Sequence, residues 1–569
     1  NIIFADLEYD EANSNLEQLT VCFKRNLFNN PYLSTVFREG DVCIIYPQDS
    51  NLLHSDDPTK KIFLKATIAT IESDTIIVKL RNLYPSKNYF KKHSTWCIEQ
   101  DLTDSFSEKL SKSLYEFAKC DKDKKELLLG LKEPQFEDPN TYNVIYTDDH
   151  IIKTAIEKSV SCKDYFLIQG PPGTAKTSIV LINIVKHIYN TTQENIFIMA
   201  YTNRAVDEIC ENLIKHSINF IRLGRGFKYP DYNLDHIKYT MDIYQLYNKI
   251  HNCRIFVSTV HSAYESPIFN MKSFHTAIID EASQLLEPHI IGILTRFNRF
   301  IMIGDEKQLP PVVVQEQKNV DDDELKKISL YSLSNSLFER LLLNAKRKKW
   351  DNASIMLQKH YRMHEEIADF VNTHYYNNLL KIGSNSQKQA INIFKSNFEN
   401  KIERLLSKHR IIFIQSDKDK GKTNKYEANI VKDIVKVIIN VSNDFTEKTV
   451  GIITPFRAQI NLIRKTLFDS QIPKEIIDKI TIDTVERFQG SERDIIIVSF
   501  SLNSYKNIDL ISSLTFNRKV DRKLNVTLTR AREHLILTGC AQVLEHSQHY
   551  KDLLNYIKQK GGFVESKIL

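Results

Sequence analysis

Between an apolar Phe166-Leu167-Ile168 and a segment of helical character, Ser178-Ile179-Val180-Leu181-Ile182, the chain reads Gly170-Pro171-Pro172-Gly173-Thr174-Ala175-Lys176-Thr177-Ser178. Strand, glycine-rich turn, lysine, hydroxyl and helix in that order is an arrangement that cradles phosphate. Successive backbone N–H groups and the start of the helix offer partial positive charge to an anion. Lys176 is spaced to reach the β- and γ-phosphates of a nucleotide, and Thr177 to hold Mg²⁺ through its hydroxyl. The usual pattern has glycine before the lysine. Here Ala175 stands there, and its Cβ narrows the backbone's options. A nucleotide is expected to fit if Ala175 takes a negative φ.

Two acidic segments further on supply partners for such a loop. Ala277-Ile278-Ile279 runs into Asp280-Glu281-Ala282-Ser283-Gln284. An acidic pair just past a buried parallel strand points into the crevice at the strands' carboxyl ends. Asp280 can hold Mg²⁺ through water, and Glu281 can orient and polarise an attacking water. Alone, such a pair is also what a helix N-terminus favours. The second segment, Gly304-Asp305-Glu306-Lys307-Gln308-Leu309-Pro310-Pro311, by itself reads as a turn. Within it Gln308 is a neutral donor able to sense a γ-phosphate, and the prolines stiffen the exit.

The elements that must position these groups follow from length and pattern. A chain of 569 residues, 42 % apolar and 26 % charged, has room for several domains with buried cores. A net charge of +6 permits a local groove for nucleic acid without demanding one. The eight cysteines are scattered with no C-x-x-C pair, so neither a zinc site nor a disulfide framework is indicated. Their scatter fits a reducing compartment and an intracellular protein, with cytoplasm and nucleus both open. No apolar run approaches the roughly 18 residues of a membrane helix. The first residue is Asn1, which is expected of a fragment or processed product and leaves room for an upstream domain.

Residues 1–100 alternate in short strands, among them Val42–Tyr46, Lys61–Ile68 and Thr75–Leu80 with a turn at Glu72-Ser73-Asp74, indicating a small antiparallel barrel or sheet. Phe106–Phe117 is helical in pattern. The mixed charge run at residues 121–126 reads as a solvated helix face or turn, and Pro134 and Pro139 mark an extended connector. From about residue 140, strands alternate with helices, which argues for a parallel α/β sheet. Its expected strands are Phe166–Ile168, Ile196–Ala200, Ile255–Ser258, Thr276–Ile279 and Phe300–Ile303. A second α/β series has strands at Ile411–Ile414, Val450–Ile453, Asp494–Phe500 and His534–Thr538. Two such blocks suggest two similar domains with a cleft between them.

Further segments carry a resemblance. Tyr201-Thr202-Asn203-Arg204-Ala205-Val206-Asp207-Glu208, the two acidic segments above, Gln358-Lys359-His360-Tyr361-Arg362-Met363-His364, Thr454-Pro455-Phe456-Arg457-Ala458-Gln459, Thr484-Val485-Glu486-Arg487-Phe488-Gln489-Gly490-Ser491-Glu492 and Leu524-Asn525-Val526-Thr527-Leu528-Thr529-Arg530-Ala531-Arg532 resemble, in order, the motifs of superfamily 1 helicases. The Asp-Glu-Ala-Ser-Gln and Phe-Gln-Gly-Ser-Glu segments match the branch that includes the nonsense-mediated-decay helicase. Lys163-Asp164-Tyr165-Phe166-Leu167-Ile168 and the strand-rich front end look most like the helicase part of the flap-processing nuclease-helicase.

The resemblance implies two tandem RecA-like P-loop domains, at 141–350 and 351–569, a β-barrel accessory domain at 1–100, and a helical stalk and connector at 101–140. It implies an ATP- and Mg²⁺-dependent motor, acting alone as a monomer, with 5′-to-3′ polarity on single-stranded nucleic acid and DNA favoured over RNA. An RNA or ribonucleoprotein-remodelling helicase, or a binding scaffold without turnover, are the alternatives. The family's nuclease lies upstream with a four-cysteine iron–sulfur site, which these cysteines do not supply. Lys176, Glu281, Gln308, Arg362 and Arg530 would form the catalytic set, the two arginines reaching in from the second domain. Arg532 ranks below Arg530. Glu492 would contact the ribose or organise Arg530, and Tyr361 would stack on the base. The family's adenine-reading glutamine falls at Ile152, with His150 nearby. Nucleic-acid contacts are expected from Thr202, Asn203, Arg204, Thr259, His261, Thr454, Pro455, Phe456 and Arg457, which carry hydroxyl, amide and basic groups after strands. Phe456 either stacks on a base or packs in a core.

Overall fold

Alternation of apolar and polar residues at the front of the chain closes a sheet on itself. In the computed structural model of the chain, six antiparallel strands, β1 (Ile3–Asn15), β2 (Thr20–Arg25), β3 (Val42–Gln48), β4 (Leu64–Ile71), β5 (Thr75–Leu80) and β6 (Thr95–Gln100), form a closed barrel in the order β1-β2-β5-β4-β3-β6. Closure pairs β6 back onto β1 and removes the exposed edges that an open sheet would present. Every second residue of β3 and β5 is buried. Those side chains meet Val21, Phe23, Phe90, Trp96 and Ile98 in the barrel's own core. The structure describes residues 3–16, 19–25, 37, 41–48, 63–71, 74–81, 86–101, 105–138, 147, 149–224, 228–313, 320–389, 401–442 and 444–565. Lys61, Ile62, Glu72, Ser73 and Pro139, named in the expected elements, lie outside them. The chain forms two compact units, Asn1–Ser105 and Phe106–Leu569.

The second unit holds two all-parallel sheets. The first runs β13-β7-β12-β11-β8-β10-β9, built from β7 (Tyr165–Gln169), β8 (Ile196–Ala200), β9 (Ile221–Arg222), β10 (Ile255–Thr259), β11 (Thr276–Asp280), β12 (Arg299–Gly304) and β13 (Ser354–Met356). Strands β7, β8, β10 and β11 are buried at every position. Helices cover both faces of such a sheet, so its strands read as continuous apolar runs. After a two-stranded ribbon of β14 (Lys359–His360) and β15 (Lys381–Ile382), the second sheet runs β18-β17-β19-β20-β16-β21. Its strands are β16 (Ile411–Gln415), β17 (Val450–Ile453), β18 (Thr481–Asp483), β19 (Arg493–Ser499), β20 (Ala531–Gly539) and β21 (Phe563–Glu565). All nine expected α/β strands are present, within three residues at each end. The sequence reading begins the second block at residue 351. The structure instead gives Ser354–Met356 to the first sheet, where it satisfies the open edge of β7. Leu167 N donates to Ala353 O at 3.0 Å and Leu357 N to Gln169 O at 2.9 Å.

Two helices before the first sheet lie against its helical layer. Ser105–Lys119 packs through Ser113, whose Oγ accepts from Gly292 N (3.0 Å) and from Tyr264 Oη (2.7 Å). The charge run at 121–126 becomes a helix, Lys122–Leu128, capped by Asp121 and anchored by buried Leu127 and Leu128. Fully buried Arg340 donates to the carbonyls of Leu128 (2.6 Å) and Leu129 (3.0 Å) while pairing with Glu287 at 2.7 Å.

Gly292 is the contact that lets this layer close. A Cβ there would lie 2.2 Å from the Ser113 carbonyl oxygen, so the two backbones would have to separate. Gly292→Ala is therefore expected to cost about 2–3 kcal/mol, seen as a lower urea midpoint, whereas Tyr264→Phe should cost about 1 kcal/mol. Equal midpoints for wild type and Gly292→Ala would show that the helix docks less tightly than drawn.

Candidate nucleotide site and strand-facing loops

The phosphate-type loop leaves the carboxyl end of β7 and turns sharply through two left-handed residues, Gly173 at φ +77° and Ala175 at φ +55°. The condition stated for Ala175, a negative φ, is thus not met. The chain has to reverse between β7 and its helix, and the left-handed turn continues through the alanine at a cost of about 1–2 kcal/mol. The N–H groups of Ile179 and Val180 both donate to Ala175 O, at 2.9 and 3.3 Å, so the helix opens with a widened π-type turn over Lys176–Leu181. Such turns concentrate at functional sites.

The loop faces the acids of β11. Lys176 Nζ lies 2.8 Å from Glu281 Oε1, and Thr177 Oγ1 donates to Asp280 Oδ2 at 2.6 Å. Glu281 itself is left-handed, at φ +51°, and also accepts from Gln284 Nε2 at 2.9 Å. Left-handed backbone at Glu281 and at Ala175, the residue before its partner Lys176, marks a geometry that the surrounding fold holds in place. Burial raises the Asp280 carboxyl to about 6, with the Glu281 charge adding to the effect. Burial opposes ionisation of Glu281 too, but Lys176 outweighs it and holds that carboxyl below its usual range. A hydroxyl and a carboxylate side by side, both hard oxygen donors, fit a Mg²⁺ ion that keeps most of its water.

Groups from the second half of the chain complete the cleft, whose empty volume is about 870 Å³. It is lined by Pro171 through Ser178, Glu281 and Gln308 from the first half and by Tyr361, Arg362, Glu492 and Arg530 from the second. The sequence-chosen residues therefore converge. Gly170, at the loop's start, has its α-carbon packed beside the Lys176 side chain. Tyr361 N donates to Gly173 O at 2.9 Å, tying the segment after β14 to the loop. Arg530 is 1 % exposed, and its described hydrogen-bond partners are all neutral: Val526 O (3.0 Å), Ser491 O (3.3 Å), Gln308 Oε1 (3.4 Å) and Thr529 Oγ1 (3.5 Å). Burial, then the neighbouring Arg362 charge, lowers its pKa to about 9. Glu492 does not bond Arg530. It takes Arg362 Nε at 2.5 Å, with Arg532 at 3.8 Å, because Arg530 lies deeper in the interface. Arg532 is turned outward to Glu492 and Asp494.

The strand-facing loops divide. Thr202, Asn203 and Arg204 are exposed after β8, and His261 is exposed after β10, the neighbouring strand. Thr202 also caps its helix by accepting from Ala205 N at 3.2 Å, and Asn203 accepts from buried Arg222 at 3.2 Å. Thr259 is 8 % exposed and caps the next helix through Ser262 N. In the second sheet Thr454 is fully buried, 3.4 Å from Ser501 Oγ, and Phe456 packs into the apolar core with Ile453 and Val485. Thr454 corrects the expected ligand contact, and for Phe456 the core alternative is the one seen. The strand end that carries them is covered, so they shape the loop and do not face a ligand. Pro455 and Arg457 remain half-exposed beside them.

Four participants were given no role by the sequence. Asp305 is buried, accepts from Gln308 Nε2 (2.9 Å) and Tyr376 Oη (2.7 Å), and has its pKa raised by burial and then by Glu306. Its signal was there: like Asp280, it is an acid directly after a buried strand. Tyr376, bonded to Asn525 at 3.0 Å, carried none, since it reads as a core aromatic, while Asn525 lay inside a motif already quoted without a role of its own. Glu208 also lines the cleft, with its pKa raised by burial and then by Glu281.

A family model described as an AAA domain matches residues 333–542, and a second AAA-domain model matches residues 149–242 and 236–316. The DNA replication ATP-dependent helicase/nuclease DNA2 of Bos taurus is 30 % identical over 438 residues, 72 % of this chain and 38 % of that protein. Its Mus musculus counterpart is 28 % identical over 93 % of this chain and 46 % of that protein. The chain thus spans less than half the length of these relatives. An uncharacterized ATP-dependent helicase of Methanocaldococcus jannaschii is 25 % identical over 82 % of this chain and 79 % of that protein. Among solved structures, an Arterivirus nonstructural protein 10 helicase aligns over 90 % of this chain and 80 % of its own, at 11 % identity and a TM-score of 0.37. Ordered motifs, AAA domains and relatives agree: the chain is similar to superfamily 1 helicases and resembles the helicase part of the DNA2 helicase/nucleases.

Proposed function

We propose that the chain is an ATP-dependent translocase and helicase that moves 5′ to 3′ on single-stranded DNA, with two tandem RecA-like domains that close on Mg²⁺-bound ATP. The β-barrel and the helices at 105–128 would be its accessory domain and stalk. One observation carries the reading: Arg530, a cation buried among neutral acceptors, faces a loop and acid pair from the other half of the chain. A buried cation is stable where an anion completes its shell, and a γ-phosphate between Lys176 and Arg530 supplies one. Lys176 would neutralise phosphate charge, and Thr177 and Asp280 would hold Mg²⁺. Glu281 would hold the attacking water, and Arg362 and Arg530 would stabilise the charge that develops in transfer. Gln308, bonded to Asp305 and in reach of Arg530, would report the γ-phosphate to both halves. Tyr361 would stack on the base.

Coupling follows from the composite shell. Hydrolysis removes the charge that draws the halves together, so the cleft relaxes and the loops around Arg204, His261 and Arg457 shift along a strand. Contacts from such loops fall on the backbone, so binding should weaken in salt and ignore sequence.

Four outcomes are expected. ATP turnover should rise at least tenfold with single-stranded DNA, and unwinding should require a 5′ tail. Absence of stimulation by either nucleic acid would sink the motor reading, and stimulation by RNA alone would move the substrate to RNA. Lys176→Ala should weaken nucleotide binding, whereas Glu281→Gln should keep binding and lose turnover. Arg530→Ala should lower kcat by about 10³–10⁵ with nucleotide still bound, and unchanged turnover in all three would mean the site is elsewhere. Ala175→Gly should relieve about 1 kcal/mol of left-handed strain, largely offset by a more flexible unfolded chain. Its urea midpoint should therefore move little and its turnover persist. A large gain in nucleotide affinity would show that the methyl group restrains the loop.

A further inference from the structure

Tyr361 lines the cleft and is 44 % exposed, yet its ring is seated. A Cβ built on Gly383 would lie 2.4 Å from Tyr361 Cε1 and 2.5 Å from Cδ1. The ring therefore rests against the Gly383 α-carbon, and any larger residue there would push it off. The seat is rigid. Gly383 N donates to His360 O at 2.9 Å. Gln387 Oε1 accepts from Gly383 N (3.1 Å) and Ser384 N (2.9 Å), while its Nε2 donates to His360 Nδ1 (3.1 Å) and Met363 O (2.9 Å). Gln387 is 7 % exposed, so these bonds are made away from water. Burial, with Arg362 adding, lowers the His360 pKa to about 4, which leaves its ring nitrogen able to accept. One buried amide thus clasps the chain on both sides of Tyr361 to the turn beneath it.

Among the described residues, no comparable device addresses the edge of a base. Ile152 is apolar and buried. Asp149 accepts from Ile151 N and Ile152 N and pairs with Lys359 at 2.9 Å. Among the described residues lining the cleft, Gln308 has the one side-chain amide, and it is taken by Asp305 and Arg530.

We infer that the nucleotide base is held by its face on Tyr361, seated by Gly383, and that its edge is not read, so the site takes purine triphosphates as a class, ATP and GTP alike. A stacking face is blind to the amino and keto groups that distinguish the purines, because every base presents a π-face. The inference rests on the motor reading and narrows its substrate.

The test is steady-state hydrolysis by the full chain with saturating single-stranded DNA, using ATP and GTP. The wild-type kcat/KM values should agree within about tenfold. Gly383→Ala should raise KM for both nucleotides by the same factor, on the order of ten, with kcat within about twofold, as the loss of a base stack predicts. Adding Gly383→Ala to Tyr361→Ala should change KM no further, since both remove one stack. Circular dichroism and a melting curve show whether Gly383→Ala is folded; if it is not, the wild-type ATP-to-GTP ratio and Tyr361→Trp, which should keep KM low, decide. GTP poorer than ATP by more than a hundredfold, or a folded Gly383→Ala with unchanged KM, overturns the inference and leaves the motor reading standing. Hydrolysis of neither nucleotide overturns both.

Discussion

A guanidinium without a counter-charge of its own is the constraint around which the second unit is arranged. Arg530 sits at 1 % exposure between the two sheets and is satisfied by carbonyls, a hydroxyl and one amide oxygen. Desolvating a cation costs several kcal/mol, and neutral acceptors return only part of it. The two carboxylates whose charge reaches it, Glu281 and Glu492, are committed to Lys176 and Arg362. The halves are therefore held at a spacing where one more negative group, shared between Lys176 and Arg530, gains from both. That is the physical basis for reading the cleft as a triphosphate site.

The contacts between the halves suit a joint that opens and closes. Arg522 reaches Glu306 O at 2.8 Å and bonds Glu339, Asn525 donates to Lys307 O at 2.7 Å, and Lys307 donates to Tyr375 O at 2.6 Å. Tyr376 completes the set on Asp305. Much of this contact is directional and polar. Such contacts can be exchanged without exposing a large apolar area, as contacts between moving domains require. The segment that follows β12, which also carries Gln308, takes part in nearly all of them.

Much of the fold was legible because it rests on local regularities. Continuous apolar runs gave every central strand of both sheets within three residues, and period-two alternation gave the barrel. What stayed hidden were short edge strands such as Ile221–Arg222, Ser354–Met356 and Phe563–Glu565, too brief to show a period. Their existence depends on a neighbour with unpaired backbone groups, which is not a property of the segment. The same division applies to the site. Lys176, Thr177, Asp280, Glu281 and Gln308 were chosen because chemistry narrows the residue types that suit a phosphate and its metal, Arg362 and Arg530 because of the resemblance, and the structure brings them to one cleft. Thr454 was assigned to a ligand on residue type alone, and its burial argues otherwise; for Phe456, where base stacking and core packing were both open, burial favours the core.

By itself, then, the order of residues determined that a phosphate loop, an acid pair and two arginines occur on α/β strands in series. These identities are set by the charge and reach of individual side chains. Only the tertiary structure decided how they act together: that Ala175 is left-handed, that Glu492 engages Arg362 and not Arg530, and that Tyr361 is seated on Gly383. Each of these depends on atoms brought close by long-range packing, where a few tenths of an ångström separate contact from clash.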